Sequence, residues 1–155
     1  MPAPDDVPTL MTTELFEQGI ALMRAALGDA AADAALARHA AAVADGTAAR
    51  SDYSVAMAWG FMLHREQLSL RDRALVLLVN DIVQSRAAAL RDHTRLAVYA
   101  GLTRDEIEEV LFQLSQYCGF PTTREAGSII RGVFAGIDAA AGHPASTKRT
   151  TEALS

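Results

Sequence analysis

The residues from Leu90 to Pro121, LRDHTRLAVYAGLTRDEIEEVLFQLSQYCGFP, constrain the fold more than any other part of this chain, because they specify two helices and the turn that joins them. Gly101 is a helix-ending residue, Thr103 an N-cap, and Glu106, three residues later, completes a capping box. Leu102 and Ile107 flank that cap at the positions of a hydrophobic staple. Beyond the cap, Ile107, Val110, Leu111, Leu114 and Cys118 recur at helical spacing, which predicts a helix with one buried face. On the helix before the turn, Leu90, His93, Ala97 and Ala100 share a face, so His93 is expected to point inward with its apolar neighbours.

The rest of the chain reads the same way. Half of its residues are hydrophobic, many of them alanine, a strong helix former with no side-chain entropy to lose. Phe16, Ile20, Met23 and Leu27 line one face of a first helix that ends at Gly28, and Asp29 is placed to cap a second, alanine-rich helix fading near Asp45-Gly46. Ser51 or Asp52 opens a third segment with Val55, Ala56, Trp59, Met62 and Leu63 on one side. Ser69 and Asp72 have capping-box spacing before the apolar run Ala74 to Val79, which the cap and the continuation through Ile82 and Val83 mark as a helix buried on most sides. Gly119-Phe120-Pro121 restarts the chain into a last helix with Ala126, Ile129, Ile130, Val133, Phe134 and Ile137 on its apolar face, and with Gly132 and Gly136 one turn apart where a neighbouring backbone is expected to approach. The expectation is an all-α fold of six to seven helices, with residues 1–10 a flexible leader, 11–139 a single helical domain and 140–155 a flexible tail.

A net charge of −5 without a basic cluster argues against a nucleic-acid partner. The one cysteine, Cys118, rules out an intrachain disulfide and any CxxC redox or metal site, and fits a reducing, cytoplasmic setting. The N-terminus carries Asp5 and Asp6 and no apolar core of a signal sequence, and the longest apolar run is too short for a bilayer, so no membrane role is expected. Walker, GxGxxG, HExxH and GxSxG patterns are missing, and neither a metal nor another cofactor is expected.

The ordered set Trp59-Gly60, Leu68 with Arg71 and Arg73, His93, Ala97, Gly101-Leu102-Thr103, Glu106-Ile107, Glu109-Val110-Leu111 and Tyr117 before Gly119-Phe120-Pro121 resembles the carboxymuconolactone decarboxylase family. The resemblance runs loosely from Phe16 to Phe134 and implies a helical fold of the alkyl hydroperoxide reductase D-like type, assembled as a homo-oligomer, a trimer or hexamer. It also implies cofactor-free loss of CO2 from a small carboxylated lactone or related oxygenated ring, as in the breakdown of aromatic compounds. The redox branch of the family would need cysteines at Arg86 and Ala89, and has none here, so disulfide-reductase chemistry is not expected. The decarboxylase branch has a glutamate four residues before the histidine, where this chain has Ala89; the carboxylate that would orient the ring is not supplied locally, although Asp92 or a neighbouring subunit can substitute.

Decarboxylation needs a water-poor pocket for the carboxylate, an electron acceptor in the substrate and a proton donor for the carbanion that results. An imidazole gives and takes protons near neutral pH, which makes His93 the candidate acid, with Tyr117 a candidate donor to a developing enolate oxygen. Arg73 suits a substrate carboxylate; the competing role is an ion pair with Asp72, Asp81 or Asp92. Trp59, Cys118 and His64 are candidates for the pocket wall or mouth, against plain roles as core aromatic, small core side chain and solvated helix end. The alternatives are a relative recruited to isomerisation or cyclisation, and a non-catalytic oligomeric binding module in which His93 is satisfied by protein groups.

Overall fold

The computed structural model describes residues 6–46 and 52–142, and all the regular secondary structure among them is helical. Helices α1 (Asp6–Leu27) and α2 (Asp29–Ala44) form a hairpin, and a π-wound segment (Val55–Phe61) runs into a 3-10 turn (Met62–His64). Helices α3 (Leu70–Val83), α4 (Ala87–Tyr99), α5 (Arg104–Cys118) and α6 (Phe120–Ala140) complete the order. Ser51 and most of the expected leader and tail lie outside the described residues; of the rest, α1 begins at Asp6 and α6 runs to Ala140.

The α4–α5 hairpin forms as its sequence predicts. Leu102 N–H reaches Ala97 O at 2.9 Å and Gly101 N–H reaches Val98 O at 3.0 Å, the paired bonds of a Schellman end with Gly101 at φ 96°. Thr103 and Glu106 make both halves of the capping box, and the staple residues Leu102 and Ile107 are buried. Ser69 caps α3 by accepting from Asp72 N–H. Asp29, by contrast, is the first residue of α2 rather than its cap; Gly28 takes the cap position, and Asp29 joins Asp33 in accepting from the Arg24 guanidinium.

Two apolar clusters build the interior. Phe16, Ile20, Met23 and Leu27 of α1 close on Ala32 and Ala35 of α2 and on Ala56, while α3 to α6 enclose Leu78, Ile82, Leu90, Leu96, Ile107 and Ile130. Trp59 packs against both clusters. The close backbone approach expected at Gly132 and Gly136 occurs elsewhere. A Cβ at either would meet nothing, whereas one on Gly60 would lie 1.9 Å from Leu15 O and one on Gly19 would lie 2.7 Å from Val55 O. These two glycines let α1 and the π segment cross almost backbone to backbone.

The π winding also changes which side chains face inward. Ala56 and Leu63 are buried and Val55 and Trp59 half-buried as expected, but Met62 is 48 % exposed, because the α-helical period no longer holds where the π turn gives way to the 3-10 turn. Helix α3 is helical as expected but covered on fewer sides: Ala74, Leu78, Asp81 and Ile82 are buried, while Val76 and Val83 are exposed.

Candidate active site

Helix α3 carries Arg73, Val76, Leu77 and Asp81 at i, i+3, i+4 and i+8, so the four follow one stripe along the helix. The Ser69 cap fixes where that stripe begins. Arg73, in the first turn, donates from Nε to the carbonyls of Arg65 and Leu68, both at 3.2 Å, and from Nη2 to Arg65 O at 2.9 Å. These bonds satisfy the loop that leads into α3 and hold the guanidinium in place. No ion pair joins Arg73 to Asp72, Asp81 or Asp92 among the described residues. Nη1 makes no hydrogen bond to a described residue, which leaves the Nη1–Nη2 edge for an anion.

Two helical turns beyond Arg73, the Asp81 carboxylate is almost wholly buried and accepts from His93 Nδ1 at 2.5 Å. Asp81 is thus the carboxylate that the position four before His93 does not provide; it comes from the preceding helix, and Asp92 is exposed to solvent. The α3–α4 turn sets the spacing of the pair. Its bonds, Arg86 N–H to Asp81 O at 2.9 Å and Ser85 N–H to Ile82 O at 3.2 Å, form a Schellman end with Ser85 in the left-handed region at φ 53°. His93 sits between Leu90 and Ala97, as its spacing predicts, and Thr94 beside it donates to Leu90 O at 2.6 Å.

A carboxylate can only accept, so its contact places the proton of neutral His93 on Nδ1. Nε2 has no partner among the described residues, yet no buried side-chain nitrogen or oxygen is left without one; Nε2 therefore reaches open space. That space is a cavity of about 320 Å³ lined by His93, Arg73 and Trp59, with Ala58, Met62, Leu63, Leu68, Val76 and Leu77 as the remaining wall. The Trp59 ring lies 6.1 Å from the His93 ring, centroid to centroid. The chamber thus joins a proton carrier, one cation and an otherwise apolar surface.

Of the six residues singled out in the sequence, three meet here: His93, Arg73 and Trp59. Tyr117 is 78 % exposed near the end of α5 and does not line the cavity. Cys118 is half-buried with Sγ on Leu114 O at 3.3 Å, and His64 places Nδ1 3.1 Å from Trp59 O beside a separate hollow bounded by Gln18, Phe61 and Arg65. A larger groove of about 460 Å³ lies between α5 and α6, rimmed by Glu108, Arg124 and Arg131, and contains no histidine. The sequence reading missed the role of Asp81, whose signal was a carboxylate on the stripe that carries Ala74, Leu78 and Ile82 inward.

Comparison with known proteins finds three relatives over parts of the chain. The 4-carboxymuconolactone decarboxylase of Acinetobacter baylyi is 32% identical over 77 residues, which cover 50% of this chain and 58% of that protein. The nitrosuccinic acid decarboxylase of Metarhizium robertsii is 31% identical over 112 residues, 72% of this chain and 76% of the relative. An uncharacterized 15.0 kDa protein of Paracoccus denitrificans is 36% identical over 81 residues, 51% of this chain and 60% of its own. The chain thus spans less than two-thirds of the Acinetobacter and Paracoccus relatives. The carboxymuconolactone decarboxylase family model matches residues 48–131. That stretch holds more than half of the chain, every residue lining the cavity and both members of the His93–Asp81 pair, and the chain belongs to the carboxymuconolactone decarboxylase family.

Proposed function

We propose that this chain is a cofactor-independent acid–base decarboxylase acting on a small carboxylated lactone or related oxygenated ring. The observation that carries the reading is the His93–Asp81 pair with Nε2 open to a chamber whose other polar group is Arg73. The substrate carboxylate lies against the apolar wall, where loss of water favours its departure. The bond between the carboxylate carbon and the ring carbon breaks, CO2 leaves, and the electron pair passes into a conjugated acceptor oxygen that the Arg73 guanidinium stabilises. His93, with a proton on each nitrogen and its charge supported by Asp81, then gives the Nε2 proton to the carbon; the neutral imidazole that remains keeps its Nδ1 proton and recovers the other from solvent. A ring is not essential to this sequence of steps, since the acceptor oxygen can belong to any conjugated group. The nitro group in the name of the Metarhizium relative suggests that any acceptor conjugated to the breaking bond serves.

The same reading carries a homo-oligomer, a trimer or hexamer, supported by Phe112, Tyr117 and Phe120, which stand 66%, 78% and 67% exposed around the α5–α6 junction. The free thiol of Cys118 fits a reducing, cytoplasmic setting. Among the described residues, no helix is long and apolar enough to cross a membrane.

The test is CO2 release by the purified protein from 4-carboxymuconolactone, nitrosuccinate and a cyclic β-keto acid, before and after dialysis against a chelator. Release unaffected by the chelator is expected, with a loss of about 10²-fold or more in His93→Asn. No release from any of the acids would sink the decarboxylase reading, and undiminished release by His93→Asn would remove the histidine from it. A monomeric mass by light scattering would overturn the assembly.

A further inference from the structure

With a proton on each nitrogen His93 is an acid, but the neutral ring is a base aimed at the same chamber. Asp81 holds the single proton of the neutral imidazole on Nδ1, at 2.5 Å, so Nε2 presents a lone pair to the cavity. Among the described residues lining that cavity, Arg73 stays protonated, the Trp59 indole N–H only donates, and the remaining side chains are apolar. Tyr117, Cys118 and His64 lie off it. His93 Nε2 is therefore the one group on the wall able to take a proton from carbon and give it back. The Nη1–Nη2 edge of Arg73, steadied by Arg65 O and Leu68 O, supplies the positive charge on which an oxyanion can form. A base, a fixed cation and an apolar wall are what removal of a proton next to a carbonyl requires.

We infer that the site also moves double bonds, converting small lactones and ketones whose double bond lies one position out of conjugation into their conjugated isomers. Neutral His93 Nε2 takes a proton from the carbon between the carbonyl and the double bond, and the C–H electron pair passes to the carbonyl oxygen, giving a dienolate beside Arg73. The imidazolium then returns the proton to the far carbon of the former double bond. The oxygen's electrons re-form the carbonyl, and the double bond settles next to it. No atom or electron is gained or lost, and no co-reactant enters. An enolate beside a charged ring is also the state that CO2 loss leaves behind, so a site that protonates it can form it from the C–H side, with the ring starting neutral. The inference rests on the decarboxylase reading for the pair and the cation, and not on CO2 loss itself. Because one nitrogen on one wall both takes and returns the proton, delivery is to a single face of the substrate.

The probe is α-angelica lactone, whose conjugated isomer, β-angelica lactone, gains a stereocentre where the proton arrives. The purified protein is expected to form that isomer at least about tenfold faster than the same concentration of His93→Asn, and with one enantiomer in excess. Handedness is read on the unmodified protein, so the test stands even where His93→Asn does not fold. A racemic product, a rate no greater than that of imidazole buffer alone, or undiminished conversion by folded His93→Asn would overturn the inference. Its failure is separable from that of the decarboxylase reading. A protein that makes one enantiomer yet releases CO2 from no acid loses only the decarboxylation, and one that releases CO2 yet leaves the lactone unchanged or racemic loses only the isomerisation.

Discussion

Asp81 determines which nitrogen of His93 faces the chamber, and under the proposed decarboxylase function that gives it a positioning role with a measurable signature. Asparagine in its place keeps the volume but offers an N–H as well as a carbonyl, so the ring is no longer held to the tautomer with Nδ1 protonated, and the imidazolium loses a neighbouring charge. Asp81→Asn is therefore expected to lower kcat by about 10²-fold with KM changed by less than about threefold. A purely structural role would move the melting temperature and leave kcat near its original value. His93 was legible because local spacing put it among Leu90 and Ala97. Its partner was not, because the two meet through the packing of α3 against α4, which spacing within either helix does not encode. Tyr117 illustrates the converse. It immediately precedes Cys118 on α5, which turns it about 100° from the half-buried stripe, and at that angle it points to water.

Among the elements, the turns were the most legible part of the chain, since their chemistry is carried by the residues that form them. Glu106 is held below the usual carboxylate range first by the Thr103 backbone N–H, then by the Thr103 hydroxyl and Arg71. A carboxylate whose pKa is lowered in the folded state contributes stability that is fully present above its unfolded value of 4.5 and is lost as pH falls through the lower, folded value. Acid titration of the melting temperature should thus show a limb below about pH 4.5 that flattens in Glu106→Gln. The turn between α3 and α4 departs from what its sequence suggests, with Ser85 at φ 53° where glycine is the unstrained choice. Ser85→Gly is expected to raise stability by roughly 0.5–1 kcal/mol in chemical denaturation, without altering the Asp81–His93 distance. The π segment was the least legible element: its sequence has a helical spacing of apolar residues, and nothing in that spacing marks the π winding or the close approach of α1 at Gly60.

Among the described residues, two apolar clusters share Trp59 and Ala26, and the site lies where the tryptophan joins them. The larger cluster follows from the periodicity of α3, α5 and α6, which together with the alanine-rich composition made the all-helical class legible in the sequence. How α1 meets the π segment was not, because that crossing depends on two glycines distant in sequence, Gly19 and Gly60. Gly60→Ala would drive a methyl into the Leu15 carbonyl, backbone that cannot swing aside, and is expected to cost about 3 kcal/mol or more. Denaturant unfolding measures that loss, and a variant as stable as the parent would show the crossing to be looser than described.

The crossing also bears on where the chain can be cut. Helix α1 lies wholly outside residues 48–131, the stretch shared with the family, yet its Leu15 carbonyl fills the space beside Gly60, and its Phe16 and Ile20 back the residues that hold Trp59. A fragment trimmed to the shared stretch would open the Ala56–Gly60 side of the π segment to water and leave the tryptophan wall of the chamber half supported. A piece cut to fold around this cavity is therefore expected to need α1, which lies well before the shared stretch.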